Sequence, residues 1–303
     1  MQNMWITGAF MPYQYPVAAL LVDDDAALLS ALWAGLSRER RVLVSDNNAQ
    51  ALSRYEAARP VRRHFLQRSP DQVRLDEHRV VVDTTAITGL IDDPDRHQEI
   101  GLVVVDYQMP GGNGLELCES LRDEPCRRIL LTGAADERVA VEAFNSGLIH
   151  QFVRKGPDTL EQLAATLRRQ QQHYFHQCSQ ALAEGLRQRL GAFEHEPAVV
   201  DALQTLMSQL QVIEYYLCTE PNGLLVMDAR GLRRRILVQS ETERQSALEI
   251  AAGPGQDKAL AAAMVYVCES DGPAAAPQMR AVQPQMVVKG SAGDVFRIGV
   301  EEC

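Results

Sequence analysis

Polar residues capable of sharing one reaction stand at the ends of four apolar runs. Val17-Ala-Ala-Leu-Leu-Val22 is followed at once by Asp23-Asp24-Asp25, and Gly101-Leu-Val-Val-Val105 runs into Asp106. Arg128-Ile-Leu-Leu131 ends in Thr132, and His150-Gln-Phe-Val-Arg154 ends in Lys155. Three carboxylates gathered in one crevice repel each other unless some protonate or a cation joins them. With oxygen ligands alone the natural cation is Mg²⁺, which also suits a site that must hold phosphate oxygens.

The elements that must position these residues alternate. Each apolar run reads as a strand buried on both faces, with a further short strand at Arg41-Val-Leu-Val-Ser45. Helical spacing follows at Ala26–Ser37, Asn47–Ala58, Leu115–Arg122 and Glu137–Ser146, and again from Asp158. Strands alternating with helices predict an α/β domain with a five-stranded, doubly wound parallel sheet. In such a sheet the strand ends share one edge, where ligands bind. One stretch is too long: 82 positions separate Asp24 from Asp106, where the intervening elements need only ~45. The surplus lies near residues 60–99, with a strand expected at Arg79–Asp83 and a short helix at Thr85–Ile91. It reads as an ordered insertion that adds an edge strand.

This pattern resembles the receiver domain of bacterial two-component response regulators, whose fold is flavodoxin-like. The family's acidic pair is matched by Asp23 and Asp24. Its D-x-x-M-P-x-x-x-G motif is matched by Asp106-Tyr-Gln-Met109-Pro110-Gly-Gly-Asn-Gly114. Thr132, followed by the small Gly133, and Lys155 stand where the family has its hydroxyl and its lysine, and Phe152 matches an aromatic three residues before that lysine. The resemblance spans Val17 to Leu190 apart from the insertion. It implies that Asp106 accepts a phosphoryl group from a histidine kinase or phosphotransfer protein. Asp24, Asp106 and the backbone carbonyl of Gln108 would bind Mg²⁺ directly, and Asp23 would act through water. Lys155 and Thr132 would hold phosphoryl oxygens, and Phe152 would turn inward as Thr132 moves. The family usually has Lys-Pro where this chain has Lys155-Gly156-Pro157.

Plainer readings stand beside these. Asp23-Asp24-Asp25 alone would serve as a helix N-terminus, Gly111 to Gly114 as an ordinary loop, and Phe152 as core. Arg233-Arg234-Arg235 reads as a solvated face. His173 and His176 lack the companions of a metal site. The six cysteines show no paired spacing, as expected of reduced thiols in a cytoplasmic protein. A net charge of −10 disfavours nucleic acid and anionic membrane as partners, and no apolar run is long enough to span a bilayer.

The reading therefore divides the chain into a receiver over residues 1–158, a long linker helix over 159–194 and a smaller α+β output domain over 195–303. After Pro197 the residues Val199, Leu203, Leu206, Leu210, Ile213 and Leu217 follow a heptad seam, which keeps a homodimer open. A hairpin around Gly231, a helix over Thr242–Ala252 and a closing hairpin near Met286 and Val295 are expected, with Ala259–Val267 ambiguous and Asp271–Pro284 a loop. The hairpin and helix resemble part of a PAS-like module. Three outputs stay open: a protein-interaction or dimerisation surface, a divergent DNA-binding domain, and a nucleotide-binding or enzymatic domain. No catalytic signature is present beyond the self-phosphorylating receiver, so the chain is expected not to be an enzyme.

Overall fold

Five short runs form the parallel sheet: β1 (Ala18–Val22), β2 (Val42–Ser45), β3 (Ile100–Asp106), β4 (Arg127–Thr132) and β5 (Gln151–Arg154). Their order is β2-β1-β3-β4-β5, all parallel. Every residue of β1 and β3 is buried, which is why these strands read as continuous apolar runs and not as alternating ones. The helices α1 (Ala26–Leu36), α2 (Asn48–Ala57), α3 (Gly114–Ser120) and α4 (Glu137–Asn145) connect them. Asp25, Asn47 and Asn113 cap the first three through their side chains. Ala18, Leu20, Val103, Val105, Leu130 and Cys118 belong to one buried core.

This computed structural model describes residues 11–58, 66–68, 80–110, 112–133, 136–186, 196–219, 221–251, 263–268, 278–291 and 293–303. The expected continuation of the long helix to Leu190, most of the insertion, and parts of the Ala259–Val267 and Asp271–Pro284 segments lie outside them.

The chain divides into two compact units, and the division differs from the expected one. The receiver unit is Tyr15–Arg63 with Asp93–Gln180. Met1–Gln14, His64–Asp92 and Ala181–Cys303 form the other. Among the described residues the insertion adds no edge strand to the parallel sheet. Its strands Leu66–Arg68 and Val80–Val82 pair with each other. Its helix Thr84–Gly89 belongs beside the strand Val212–Thr219, with Thr84 and Thr219 hydroxyls 3.0 Å apart, and Asp92 pairs with Arg233 at 2.6 Å.

The expected linker helix also begins as part of the receiver. Helix α5 runs from Thr159 to Leu186 and buries Leu163, Leu167, Tyr174 and Phe175. Its polar residues are tied to the start of the sheet. Arg127 donates to Gln170 at 2.9 Å, Arg40 donates to Gln171 at 3.0 Å, and the hydroxyls of Tyr15 and Tyr174 both donate to Glu99.

In the other unit a six-stranded sheet places Tyr13–Gln14 beside Val212–Thr219, then Asn222–Asp228, Arg233–Ser240, Val295–Glu302 and Met286–Lys289, all antiparallel. The hairpin around Gly231, which takes φ +79°, and the closing hairpin are as expected. The heptad seam is not. The helix Pro197–Gln209 stops, Gln211 takes φ +53°, and Ile213 and Leu217 lie on a strand. The run Val212-Ile-Glu-Tyr-Tyr-Leu-Cys-Thr219 is rich in β-branched and aromatic residues, and this preference overrides three heptads of spacing. The arginine triplet is less solvated than expected: Arg233 pairs with Asp92, and Arg234 lies 3.5 Å from the buried Asp228.

Candidate phosphoacceptor site

The four polar strand ends meet at the C-terminal edge of the parallel sheet. Lys155 follows β5, and its Nζ lies 2.8 Å from Asp23 Oδ2 and 2.8 Å from Asp106 Oδ1. Asp23 and Asp106 are buried and Asp24 is exposed. One oxygen from each of Asp23, Asp24 and Asp106 falls within 4.8 Å of the others. Among the described residues no other group of three such ligands exists.

The three consecutive acids have separate duties. Asp25 caps α1, accepting from the amides of Ala27 and Leu28, so the helix-terminus reading holds for this residue. Asp23 accepts the amide of Asp25 through Oδ1 at 2.9 Å. Its Oδ2 is buried without a well-angled hydrogen bond and is compensated by the Lys155 charge. Burial raises the pKa of Asp106, and the Lys155 hydrogen bond opposes that rise. Burial would lower the pKa of Lys155, but its contacts with Asp106 and Asp23 outweigh that and raise it. The donor set fits a hard divalent cation: all oxygen and strongly anionic.

The loop after Asp106 is shaped by small residues. Asn113 caps α3 through the amides of Leu115 and Glu116. Gly114 leaves no room for a side chain, since a Cβ there would lie 2.1 Å from the carbonyl oxygen of Asp106. Tyr107, Gln108, Met109, Pro110, Gly112 and Asn113 line an open hollow of about 400 Å³. Thr132 is buried, and its hydroxyl donates to the Gly133 carbonyl at 3.2 Å. Phe152 is half-buried and packs against the core. The Gln108 side chain donates to Asp136 at 3.0 Å.

One residue that shapes this unit escaped sequence reasoning. Arg128, 3% exposed, donates to the carbonyls of Leu148 and Leu121 at 2.7 Å and reaches those of Arg122 and Gly147. It thereby satisfies carbonyls beyond the ends of α3 and α4. Its backbone amide donates to His150 Nδ1 at 2.9 Å. Nothing in its local sequence marks it, because an Arg-Arg pair at a strand start reads as a surface feature.

Residues 64–168 match the response regulator receiver domain family. The match begins inside the insertion and leaves β1 and the acidic pair outside it. No curated protein matches the chain. Among solved structures, the Legionella pneumophila response regulator LqsR is similar in fold across 100% of this chain and 91% of its own, with a TM-score of 0.74 and 22% identity. A receiver domain protein from Clostridium thermocellum covers 52% of this chain and 95% of its own, at 17% identity and a TM-score of 0.35. The Thermotoga maritima response regulator TrrA, solved with Mg²⁺-BeF, covers 50% and 98%, at 19% identity and a TM-score of 0.33.

Proposed function

The chain carries a response regulator receiver domain, and from that premise we propose that Asp106 accepts a phosphoryl group from the phosphohistidine of a kinase or phosphotransfer protein. The observation that carries this reading is the position of Lys155, whose ammonium touches Asp23 and Asp106 together. Lys155 holds Oδ1 of Asp106, which leaves Oδ2 to attack phosphorus. The P–N bond of the donor breaks, and the imidazole leaves with a proton. Asp24, Asp106 and the Gln108 carbonyl would hold Mg²⁺, with Asp23 acting through water. Bound there, the cation would neutralise charge on the phosphoryl oxygens. A loose phosphoryl transition state asks little beyond such positioning and charge balance.

Phosphorylation would add about −1.5 to −2 charge at Asp106, by analogy with other phosphorylated side chains. Thr132 would exchange the Gly133 carbonyl for a phosphoryl oxygen, and Phe152 would turn into the space released. The output we favour is a surface read by another protein or by a second copy of the chain. Two features support it: the net negative charge, and an output sheet whose described helices, Pro197–Gln209 and Glu241–Ala251, are separated by three strands and form no tandem helical pair. We assign the chain no catalysis beyond transfer and hydrolysis at Asp106, and place it in the cytoplasm, where such kinases act. Among the described residues no helix is long and apolar enough to cross a membrane.

Labelling with radioactive acetyl phosphate tests the acceptor. Wild type should incorporate label only with Mg²⁺, in a hydroxylamine-sensitive bond, and Asp106→Ala should incorporate none. Label that persists in Asp106→Ala would refute the assignment.

A further inference from the structure

Helix α4 lacks the cap its neighbours have. Asp25, Asn47 and Asn113 take extended backbone angles (ψ 96°, 161° and 157°) and accept first-turn amides. Asp136 stands at the same position before α4, and Asp is among the best capping residues. Yet it takes ψ 9° and accepts no amide of its helix. Its Oδ1 instead receives the Gln108 side-chain amide at 3.0 Å. Its Oδ2 sits over Gly133, 3.6 Å from where a Cβ would be, and its own amide donates to the Gly133 carbonyl at 3.2 Å. That same carbonyl receives the Thr132 hydroxyl. Two residues flanking the acceptor loop and the β4–α4 turn are thus tied together while the hydroxyl required at the phosphoryl group is turned away.

We propose that the Gln108–Asp136 hydrogen bond is a latch: it holds the Asp136 carboxylate away from the first-turn amides of α4, and its release lets Asp136 cap α4 as Thr132 engages the phosphoryl group. This rests on the reading of Asp106 as the phosphoacceptor and gives Gln108 a positioning role through its side chain, separate from its backbone carbonyl. The exchange favours the latch only modestly. One charge-assisted hydrogen bond between exposed groups outweighs a helix cap by a margin that leaves the capped form a minor state, so losing the latch moves the equilibrium several-fold.

Two measurements on the full chain test it. In the metal-free, unphosphorylated protein, Gln108→Ala should slow hydrogen exchange at the Arg138 and Val139 amides by about fivefold, the equilibrium ratio that one cap typically moves. Asp136→Ala, which has neither latch nor cap, should not. In titrations with beryllofluoride and Mg²⁺, Gln108→Ala should bind about fivefold tighter than wild type, and the Gln108→Ala/Asp136→Ala double variant should lose that gain. Unchanged exchange at Arg138 and Val139 in Gln108→Ala would overturn the latch. Tighter binding that survives in the double variant would overturn the capping exchange. If wild type bound no beryllofluoride at all, the phosphoacceptor reading would fall, while the exchange experiment would still judge the latch by itself.

Discussion

Replacing Lys155 by Met separates the two charge-compensating devices of the site. The ammonium lies 2.8 Å from carboxylates whose side chains are 1% and 8% exposed. Removing one partner of a buried ion pair costs about 3–5 kcal/mol, because the charge left behind keeps its desolvation penalty. The lysine side chain is itself 29% exposed, so solvent screens part of the interaction, and the expected loss is about 2–3 kcal/mol. Protonation of Asp106 relieves some of it, since burial already raises that pKa and Lys155 is what opposes the rise. The loss should therefore be larger at pH 8 than at pH 6. The same change favours a dication. An ammonium about 4 Å from Mg²⁺ repels it by ~2 kcal/mol even at the dielectric of bulk water, so the variant should bind Mg²⁺ roughly tenfold tighter or more. At about one hundred times its dissociation constant, Mg²⁺ contributes ~2.7 kcal/mol, enough to offset the substitution. Urea unfolding reads this out through Trp33 of α1, made the sole indole by Trp5→Phe, since the chain has two tryptophans. The variant should be weaker than wild type in EDTA and near it in saturating Mg²⁺. Equal stability in EDTA, or a deficit that Mg²⁺ leaves untouched, would show that the ammonium does not compensate these acids.

Three further outcomes follow from the receiver unit. Gly114→Ala sets a Cβ 2.1 Å from the Asp106 carbonyl oxygen and 2.6 Å from Val105; it should cost about 2–3 kcal/mol and slow labelling by acetyl phosphate, whereas Gly156→Ala, with open space around it, should leave both within twofold, roughly 0.4 kcal/mol. Arg128→Met removes a buried guanidinium that donates to carbonyls at four positions, the Leu121 one buried, and should destabilise the unit by about 1–3 kcal/mol, visible as a fall in melting temperature; an unchanged melting temperature would refute it. Burial, with Arg127 and Arg128 nearby, lowers the His150 pKa from 6.5 to about 3, so the unfolded chain takes up a proton that the folded one refuses. The stability this neutral ring contributes is present above pH 6.5 and drains away as pH falls toward 3, with a limiting slope of ~1.4 kcal/mol per pH unit. The stability difference between wild type and His150→Gln should shift against wild type by about 1 kcal/mol between pH 6.5 and 5, after screening at a part-exposed ring; a constant difference would refute the shift.

The receiver sheet and the meeting of polar residues at its edge were legible because each depends on short-range signals. An apolar run buried on both faces, a polar residue at its end, and a glycine where a Cβ would strike the Asp106 carbonyl are all written locally. The insertion did not hide them, because Asp23 and Asp106 are aligned by adjacent strands β1 and β3 whatever lies between. The short strand Tyr13–Gln14 and the roles of Arg128 and Asp136 were not legible. Tyr13 and Gln14 pair with Tyr216 and Tyr215, some two hundred positions away, and two residues carry no period. Arg128 finds its carbonyls at helix ends that only the assembled fold brings together.

The misplaced unit boundary follows from the same distinction. Heptad spacing after Pro197 and the break in rhythm at Pro157 are real features of the sequence, but each is local and is overridden by long-range partners. Gln211 in the left-handed region ends the helix, and the eight residues that follow bury five side chains in a sheet. That sheet then draws in the insertion through Thr84 and Asp92. On the other side, α5 carries polar residues at positions that look solvated in a helical projection. Gln170, Gln171 and Tyr174 instead meet Arg127, Arg40 and Glu99 at the N-terminal edge of the receiver sheet. A Gln-rich helix reads as a free linker only while the buried donors that require those amide oxygens are unknown. Once Arg40 is found buried with Gln171 as acceptor, the helix is required by the receiver itself, because without it a guanidinium would be left buried and unsatisfied.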